Sequence, residues 1–301
     1  MPQISICIPV YNFLIEPLIA KLSREISSRS LDAEIVVIDD ASHISFQQVN
    51  HALVQKYPMH YVQLQQNAGR SAIRNLFLNY VRSPLLLFLD CDVMPASDEF
   101  VSTYLSVAKN AMVVCGGISY AHEPPGPEKK LHWKYGRTRE SLPAVKRKRQ
   151  SHRRFLTSNF LIHKKILETI SFEELKGYGY EDTLYGIQLQ RKNISIEHID
   201  VPAQHLKIDN AEEFVSKTEN ALKNLHHLHQ SGEYASTLKH YIRLVKANNI
   251  IRTVGLTRAA LLMNDKFGNS IRRRLAKGNT NLALLDLYKL LFFISLAKKT
   301  S

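Results

Sequence analysis

Short apolar runs alternate with amphipathic helical patterns along the first half of the chain. Runs typical of strands occupy residues 4–10, 33–39, 60–66, 83–90 and 112–118. Between them, apolar positions recur at helical spacing, as in residues 14–29. This rhythm predicts an α/β fold, a mostly parallel sheet with helices on both faces. Ligands bind such sheets beyond the carboxyl ends of the strands, so polar residues there are candidates for chemistry.

The second half of the chain changes character twice. Residues 119–156 lose the rhythm, and loops of this length in compact domains are usually functional or mobile. From Asn210 onward the chain is helix-like, and Asn210 with Glu213 forms a candidate N-terminal cap pair. Residues 155–164 return to an apolar pattern, and the remaining predicted elements are a helix at 182–192 and a strand at 195–201. We therefore divide the chain into a domain of residues 1–230 and a mostly helical, basic extension of residues 231–301.

The net charge of +13 is concentrated in two segments. Residues 129–154 carry eleven Lys and Arg against one acid, and residues 239–301 carry thirteen against two. A high basic charge is one mark of a nucleic-acid binder, but no zinc-finger spacing or aromatic RNA-binding string accompanies it. Three readings stay open: solvated basic faces, binding of phosphate-bearing ligands, and attraction to anionic lipid.

The cysteines and the hydropathy pattern favour the cytoplasm. Three cysteines among 301 residues form no even disulfide framework. The first residues lack a basic segment followed by a long apolar one, so we expect no export signal. No apolar segment approaches the ~18 residues of a membrane span.

The clearest chemical motif is Asp90-Cys91-Asp92, at the end of an apolar run. Side chains two apart on a strand point to the same side, so both carboxylates are expected at the ligand edge. Two such oxygens suit a hard divalent cation held together with a phosphate. The alternative is that both residues belong to a turn or a helix cap.

Two further candidates follow predicted strands. Asp39 and Asp40 can accept hydrogen bonds from a base or from ribose hydroxyls, or can simply form a turn. Arg70 opens a predicted helix and can meet a base or phosphate. Arg74, one helical turn later, is equally suited to pairing with a carboxylate of the protein.

Three motifs lie later in the chain. Residues 177–182, Gly-Tyr-Gly-Tyr-Glu-Asp, precede a helix; the glycines permit close approach of a ligand, and the acids can instead cap the helix. His205 can complete an Asp-x-Asp metal site or be structural. Trp133, the single tryptophan, can stack on a sugar or base or fill a core.

The order of these motifs resembles family 2 glycosyltransferases with the nucleotide-diphospho-sugar transferase (GT-A) fold. The strings that carry the resemblance are IPVYN, VVIDDAS, NAGRSAIRN, LFLDCD, SNFLI and GYEDTLYG, within roughly residues 4–230. Each string is weak alone, and their order makes the resemblance specific. The later strings VVCGG, LHWKYG and GYGYEDTLYG look like bacterial members that build surface polysaccharides. Cys91 departs from the family pattern, in which alanine is commoner between the aspartates.

The resemblance implies roles for individual residues. Asp182 matches the catalytic base, with Glu181 beside it, and Asp92 matches the direct ligand of Mn²⁺ or Mg²⁺. His205 matches a further metal ligand, and Asp90 faces ribose or metal. The other implied contacts are Pro9, Tyr11, Asp39 and Arg70 to the nucleotide, and Trp133 and Asn159 to donor sugar or acceptor.

The implied reaction is transfer from a nucleotide-diphospho-sugar, UDP-sugar first, to a hydroxyl of a saccharide or lipid-linked acceptor. The metal neutralises the diphosphate leaving group, and Asp182 takes the proton of the attacking hydroxyl, so one displacement inverts the anomeric centre. Two rivals remain, a sugar-phosphate nucleotidyltransferase of related fold and a non-catalytic basic scaffold. The first-loop string PVYNF lacks the Gly-rich, basic signature of the former.

The two basic segments have open roles in this reaction. Residues 129–154 can close over the diphosphate, grip a lipid-diphosphate acceptor or stay solvated. Residues 281–299 can form a helix that lies at the membrane interface, or can pack on the protein. The first reading makes the enzyme a peripheral protein at the inner face of the cell membrane.

Overall fold

The computed structural model describes residues 1–175, 179–230 and 232–297. These residues form two compact units. The first contains residues 1–121, 140–174 and 181–207, and the second contains residues 122–139, 175–180 and 208–301 as far as they are described. The sequence predicts that residues 1–230 form the catalytic domain. Packing units do not show which residues are needed for catalysis, so this boundary stays a prediction.

The first unit is built on a seven-stranded sheet. In the described chain the strands are β1 (Ile4–Val10), β2 (Ala33–Asp39), β3 (His60–Gln63), β4 (Leu85–Leu89), β5 (Val93–Pro95), β6 (Val113–Cys115), β7 (Ile118–Ser119), β8 (Asn159–His163), β9 (Glu197–His198) and β10 (Ala203–His205). The large sheet has the order β3-β2-β1-β4-β8-β6-β9, and β5, β10 and β7 form a small second sheet. All pairings in the large sheet are parallel except those of β8, which runs against β4 and β6.

The helices follow in the same chain-order numbering. They are α1 (Glu16–Ser28), α2 (Ile44–Ala52), α3 (Gly69–Leu76), α4 (Phe100–Val107), α5 (Lys130–Tyr135), α6 (Ala144–Lys148), α7 (Lys164–Thr169), α8 (Glu181–Arg191), α9 (Ala211–Gln230), α10 (Ala235–Tyr241), α11 (Arg243–Thr253), α12 (Thr257–Met263), α13 (Asn269–Ala276) and α14 (Leu282–Leu296). The first unit holds α1–α4 and α6–α8, and the second holds the others.

Both faces of the large sheet are covered, as the continuous apolar runs predict. Along β1, Ile6 and Ile8 pack into one core, with residues of α1 and α4. Cys7, between them, faces the other core, with residues of α3 and α8. This alternation follows from the period of two along a strand. The predicted α/β fold with a mostly parallel sheet and a helical C-terminal region is confirmed.

The second unit is helical. Its core joins Leu131 of α5 to Val215 of α9, Leu275 of α13 and Leu285 and Tyr288 of α14. The apolar stretch from residue 281 therefore packs within this unit as far as residue 297; the last two residues of the predicted segment lie outside the described chain. No helix of the described residues is long and apolar enough to cross a membrane.

Of two local predictions, the helix cap at Asn210 is confirmed and the single strand at 112–118 is wrong. The predicted cap pair forms, since the Asn210 side chain accepts from Glu213 N at 2.9 Å. The predicted strand at 112–118 is instead two strands, β6 and β7, in different sheets. Gly116 and Gly117 separate them, and Gly117 has φ +85°, which ends regular pairing.

Candidate functional site

The carboxyl ends of the parallel strands β1, β2 and β4 meet at one edge of the large sheet. Pro9 lies near the end of β1, and Tyr11 directly follows that strand with its side chain exposed. Asp39 ends β2, and Asp90 directly follows β4. The four predicted site residues are therefore at the edge at which parallel sheets bind ligands.

Asp39 is fully buried and already hydrogen-bonded. Its Oδ1 accepts from Ser42 N at 2.7 Å, and its Oδ2 accepts from the Tyr61 hydroxyl at 2.8 Å. Burial and this aspartate raise the pKa of Tyr61. Each oxygen of Asp39 accepts one hydrogen bond and keeps a second lone pair, so its predicted contact with a base stays a prediction.

Asp40 has a role that the sequence did not reveal. Its carboxylate accepts from Ala68 N at 2.6 Å and from Gly69 N at 3.1 Å, and so holds the turn that starts α3. Burial raises the pKa of Asp40. Gly69 sits in this turn at φ +83°, a conformation that favours glycine. The signal in the sequence is the Asn-Ala-Gly string, which marks a turn but not its partner.

The two arginines of α3 have different environments. Arg74 is 2% exposed, and its Nη2 lies 2.6 Å from Asp90 Oδ1. Its Nη1 donates to the Arg70 carbonyl at 2.6 Å. Of the two roles open to Arg74, the structure has the ion pair. Arg70 has a half-exposed side chain and lies 3.4 Å from Glu181 Oε1, so it links α3 to the start of α8.

Asp92 and His205 are brought together by the small sheet. Strand β10 pairs antiparallel with β5, with His205 opposite Val93, and Leu206 N donates to the Asp92 carbonyl at 2.8 Å. This places His205 Nε2 3.9 Å from Asp92 Oδ2. The His205 ring stacks on Tyr120 with centroids 5.6 Å apart.

Cys91, between the two aspartates, is a neutral thiol. Its burial and the charges of Asp92 and Asp90 raise its pKa to about 12. It therefore adds no charge between the carboxylates. The departure from the commoner alanine leaves the site's charge unchanged.

The donor set here fits a divalent cation only in part. In the described part of the chain, no group of three or more Asp, Glu, His or Cys side chains is arranged to hold a metal. Asp92 and His205 offer one carboxylate and one imidazole, while Asp90 is paired with Arg74. Carboxylate oxygen and imidazole nitrogen are both ligands of divalent metals, and diphosphate oxygens and water can fill the remaining positions.

Asp182 has a strongly raised pKa. It lies in the first turn of α8, and Thr183 N donates to its Oδ1 at 2.6 Å. Burial and the adjacent Glu181 raise the pKa of Asp182 to about 7. A carboxylate with a pKa near the working pH is suited to general base catalysis. Gly177 and Tyr178, from the same predicted motif, lie outside the described residues.

One aromatic residue, Tyr120, and one acidic residue, Glu140, lie between the candidate metal ligands and Asp182. The Tyr120 hydroxyl donates to Glu140, and the Tyr120 ring stacks on His205. Glu140 is close enough to contribute to the raised pKa of Asp182. Sequence reasoning missed Tyr120 and Glu140, because neither belongs to a motif and they are 20 positions apart.

The side chain of Asn159 is inaccessible to solvent and hydrogen-bonds residues around the two sheets. Its side chain is fully buried: Oδ1 accepts from the Tyr104 hydroxyl at 2.7 Å, and Nδ2 donates to Gly117 O at 2.7 Å and Val201 O at 2.9 Å. Both amide protons and the oxygen are therefore used internally. With these groups paired internally, the sugar contact of Asn159 stays a prediction.

Residues of the basic segment 129–154 have more than one environment. Arg147 is 2% exposed and donates to the carbonyls of Cys115, Gly116 and Ile199, so it is structural and not part of a solvated face. Trp133 lies in α5, in the second unit, with the Arg137 guanidinium 5.4 Å from its ring. The predicted sugar contact of Trp133 stays a prediction.

Residues 5–171, over half of the chain, match the model of glycosyl transferase family 2. The chain belongs to this family. A search of curated protein sequences finds no match.

Solved structures similar to this family member share its fold at low identity. A mannosyltransferase of Pyrobaculum calidifontis, PcManGT, in complex with GDP-Man and Mn²⁺, has a TM-score of 0.61 at 14% identity, covering 100% of this chain and 88% of its own. S. aureus TarS 1–349 in complex with UDP-GlcNAc has 0.51 at 16%, covering 99% and 92%. Mycobacterium tuberculosis glucosyl-3-phosphoglycerate synthase with Mn²⁺, UDP and its product has 0.51 at 15%, covering 76% and 79%.

Proposed function

We propose that this family 2 member is an inverting, metal-dependent glycosyltransferase of the hexosyl or N-acetylhexosaminyl type. The donor is a nucleotide-diphospho-sugar, with UDP-sugar first. The acceptor is a hydroxyl of a saccharide or a lipid-linked saccharide in cell-surface polysaccharide biosynthesis. Residues 1–230 form the catalytic domain in this proposal, and residues 231–301 form an extension.

One observation carries the proposal: the metal candidates and the carboxylate of raised pKa have Tyr120 and Glu140 as common neighbours. On one side, Asp92 neighbours His205, which stacks on Tyr120, and Tyr120 donates to Glu140. Glu140 in turn acts electrostatically on Asp182. A leaving-group site and a base in one cluster are the two requirements of a single displacement on a sugar nucleotide.

The residues divide the work as follows. A divalent cation, when bound with the donor, would neutralise the diphosphate, and Asp92 and His205 would hold it. Arg70, whose half-exposed side chain lies 3.4 Å from Glu181, would contact a phosphate of the donor. Arg74 fixes Asp90 through the buried ion pair. Asp182 accepts the proton of the acceptor hydroxyl, and its pKa near 7 leaves it half ionised at neutral pH.

The donor assignment draws on what similar structures contain. TarS binds UDP-GlcNAc and the synthase binds UDP with Mn²⁺, whereas PcManGT binds GDP-Man with Mn²⁺. Uridine and guanosine donors are therefore the two to test first. Membership in the family disfavours the nucleotidyltransferase alternative, and a non-catalytic scaffold is an outcome of the test below.

The location we propose is the cytoplasmic side of the cell membrane. Nucleotide sugars are made in the cytoplasm, and a lipid-linked acceptor is presented at the membrane surface. An enzyme that joins the two substrates works at the boundary between these compartments.

The test is titration calorimetry of the full chain with UDP and GDP, with and without Mn²⁺. We expect metal-dependent binding of UDP that Asp92→Asn abolishes. Asp98→Asn is the matched control, because Asp98 is an exposed aspartate paired with Lys21. Binding of GDP alone would change the donor and keep the enzyme class. No nucleotide binding by the folded protein would contradict the proposal and favour the scaffold.

A further inference from the structure

A sharp corner joins α11 to α12 in the second unit. Helix α11 ends at Thr253, Gly255 has φ +75° and α12 begins at Thr257. Every residue from Arg252 to Leu256 is exposed. A Cβ added at Gly255 would meet no atom within 4 Å, so the corner projects into open space.

Exposed apolar side chains are concentrated at and beyond this corner. Six large apolar residues of the stretch 250–267 are between 44% and 69% exposed: Ile250, Val254, Leu256, Leu262, Met263 and Phe267. Single exposed apolar residues are normal on a protein surface, and six within a stretch this short make it a candidate interaction site. We call this stretch the 250–267 surface.

Basic side chains flank the apolar ones. Ile250 and Val254 line a groove of about 460 Å³ together with Lys239, His240 and Lys246. Over residues 239–267 the chain has six Lys and Arg against one acid, Asp265. Each Lys or Arg close to an anionic bilayer contributes attraction that salt screens. The groove therefore combines apolar contact area with positive charge.

Other parts of the basic C-terminal region are committed internally. Arg272 pairs with Glu212 at 2.6 Å and with Glu219 at 2.8 Å, both on α9. In α14, Leu285 and Tyr288 are buried in the core of the second unit. The segment that the sequence offered for interfacial binding is thus packed, while α11 and α12 present the exposed apolar residues.

We propose that the 250–267 surface docks on an anionic lipid bilayer. Val254, Leu256 and their apolar neighbours enter the headgroup region, and Lys246 and Arg252 contact lipid phosphates. Aliphatic side chains at a projecting corner, bordered by cations, suit an interface of hydrocarbon beneath anionic headgroups. A single-stranded nucleic acid would instead call for several aromatic stacking platforms, and Phe267 is the one aromatic side chain among these six. This inference rests on the membrane location proposed above and is independent of the donor.

The experiment is flotation of the full-length protein with vesicles of phosphatidylcholine, with or without one part in four of phosphatidylglycerol. Wild type is compared with Val254→Glu and with Val254→Glu/Leu256→Glu. Val49→Glu is the matched control, because Val49 is a valine of α2 that is 49% exposed, against 59% for Val254. Circular dichroism and UDP calorimetry on each variant check the fold and the nucleotide site.

We expect binding to the anionic vesicles only, weakened by salt. Val254→Glu should reduce the partition coefficient by about tenfold and the double variant by more, because each change removes apolar burial and adds a repelled charge. Val49→Glu should bind as wild type does. Equal binding to neutral vesicles, or no binding by wild type, would overturn the proposal. A double variant that floats as wild type does would keep the membrane location and overturn this surface.

Two other outcomes assign the surface to a different occupant. A wild-type dimer that the double variant converts to a monomer, without vesicle binding, would give the surface to a second copy of the chain. Binding of wild type to RNA instead of vesicles would give it to nucleic acid. A wild-type protein that floats with the anionic vesicles but does not bind UDP would contradict the donor proposal and still support the membrane-binding surface.

Discussion

Replacing Asp182 with asparagine should abolish transfer and, at the same time, stabilise the folded protein above neutral pH. The pKa of Asp182 rises from 3.8 to about 7 because desolvation of the half-buried carboxyl group and the charge of Glu181 both disfavour ionisation. The folded state therefore holds a proton that the unfolded chain releases near pH 4. Between those two pKa values the native state binds more protons than the unfolded state, so the free energy of unfolding falls as pH rises.

The size of this effect follows from the shift. A difference of about three pKa units corresponds to about 4 kcal/mol, and about 2–3 kcal/mol of it is lost between pH 5 and pH 8. Asparagine carries no charge at either pH, and its Oδ1 can still accept from Thr183 N. The stability of Asp182→Asn relative to wild type should thus be about 2–3 kcal/mol more favourable at pH 8 than at pH 5.

Urea unfolding of metal-free protein, followed by far-ultraviolet circular dichroism at both pH values, measures this difference. Asp98→Asn is the control, because pairing with Lys21 lowers the pKa of Asp98, so its removal should bring no gain at pH 8. In wild type, kcat/KM for transfer should rise with pH through about 7. A stability difference between Asp182→Asn and wild type that is the same at both pH values would refute the reasoning. Normal transfer by the variant would refute the base assignment.

Two further predictions concern the supports of the site. Arg74→Met should destabilise the protein by about 3 kcal/mol, because it leaves the partly buried Asp90 carboxylate unpaired. The double variant Arg74→Met/Asp90→Asn should recover part of that stability in urea unfolding. An equal loss of stability in the single and double variants would contradict the prediction. Asn159→Leu should lower the free energy of unfolding by about 2–3 kcal/mol, because it leaves buried polar groups unpaired, and should leave the KM for the donor unchanged. A raised KM with unchanged stability would instead support the predicted sugar contact.

The periodicity of the sequence was enough for the architecture of the large sheet. Apolar runs and helical spacing predicted the strands, their parallel arrangement and the ligand edge at which Tyr11, Asp39 and Asp90 lie. The reversed direction of β8 could not be predicted, because an apolar run looks the same in either direction. Its pairing depends on chain connections far apart in sequence, which no local pattern records.

For the site, the sequence predicted which residues lie at the strand ends better than it predicted which side chains contact them. The Asp92 and His205 neighbourhood was expected from the motif, and the register of β5 and β10 accounts for it. By contrast, the burial of Asp39 and Asn159 depends on residues such as Tyr61 and Tyr104 that come from other elements. Burial of a polar side chain is a property of packing, and a polar residue in a strand pattern looks the same whether it faces a ligand or a neighbour.

The reversed strand β8 has a consequence for how this enzyme can change over evolution. Because β8 runs opposite to β4, its first residue, Asn159, pairs with Leu89 at the ligand edge. The chain therefore leaves the small sheet after β7 and re-enters the large sheet at that same edge. Insertions between residues 120 and 158 that spare the buried Leu131 and Arg147 would leave the strand register unchanged, since loop closure costs little per added residue. In the function proposed above, new acceptor specificities would then arise from such insertions while Tyr120 and Glu140 keep their places beside His205 and Asp182.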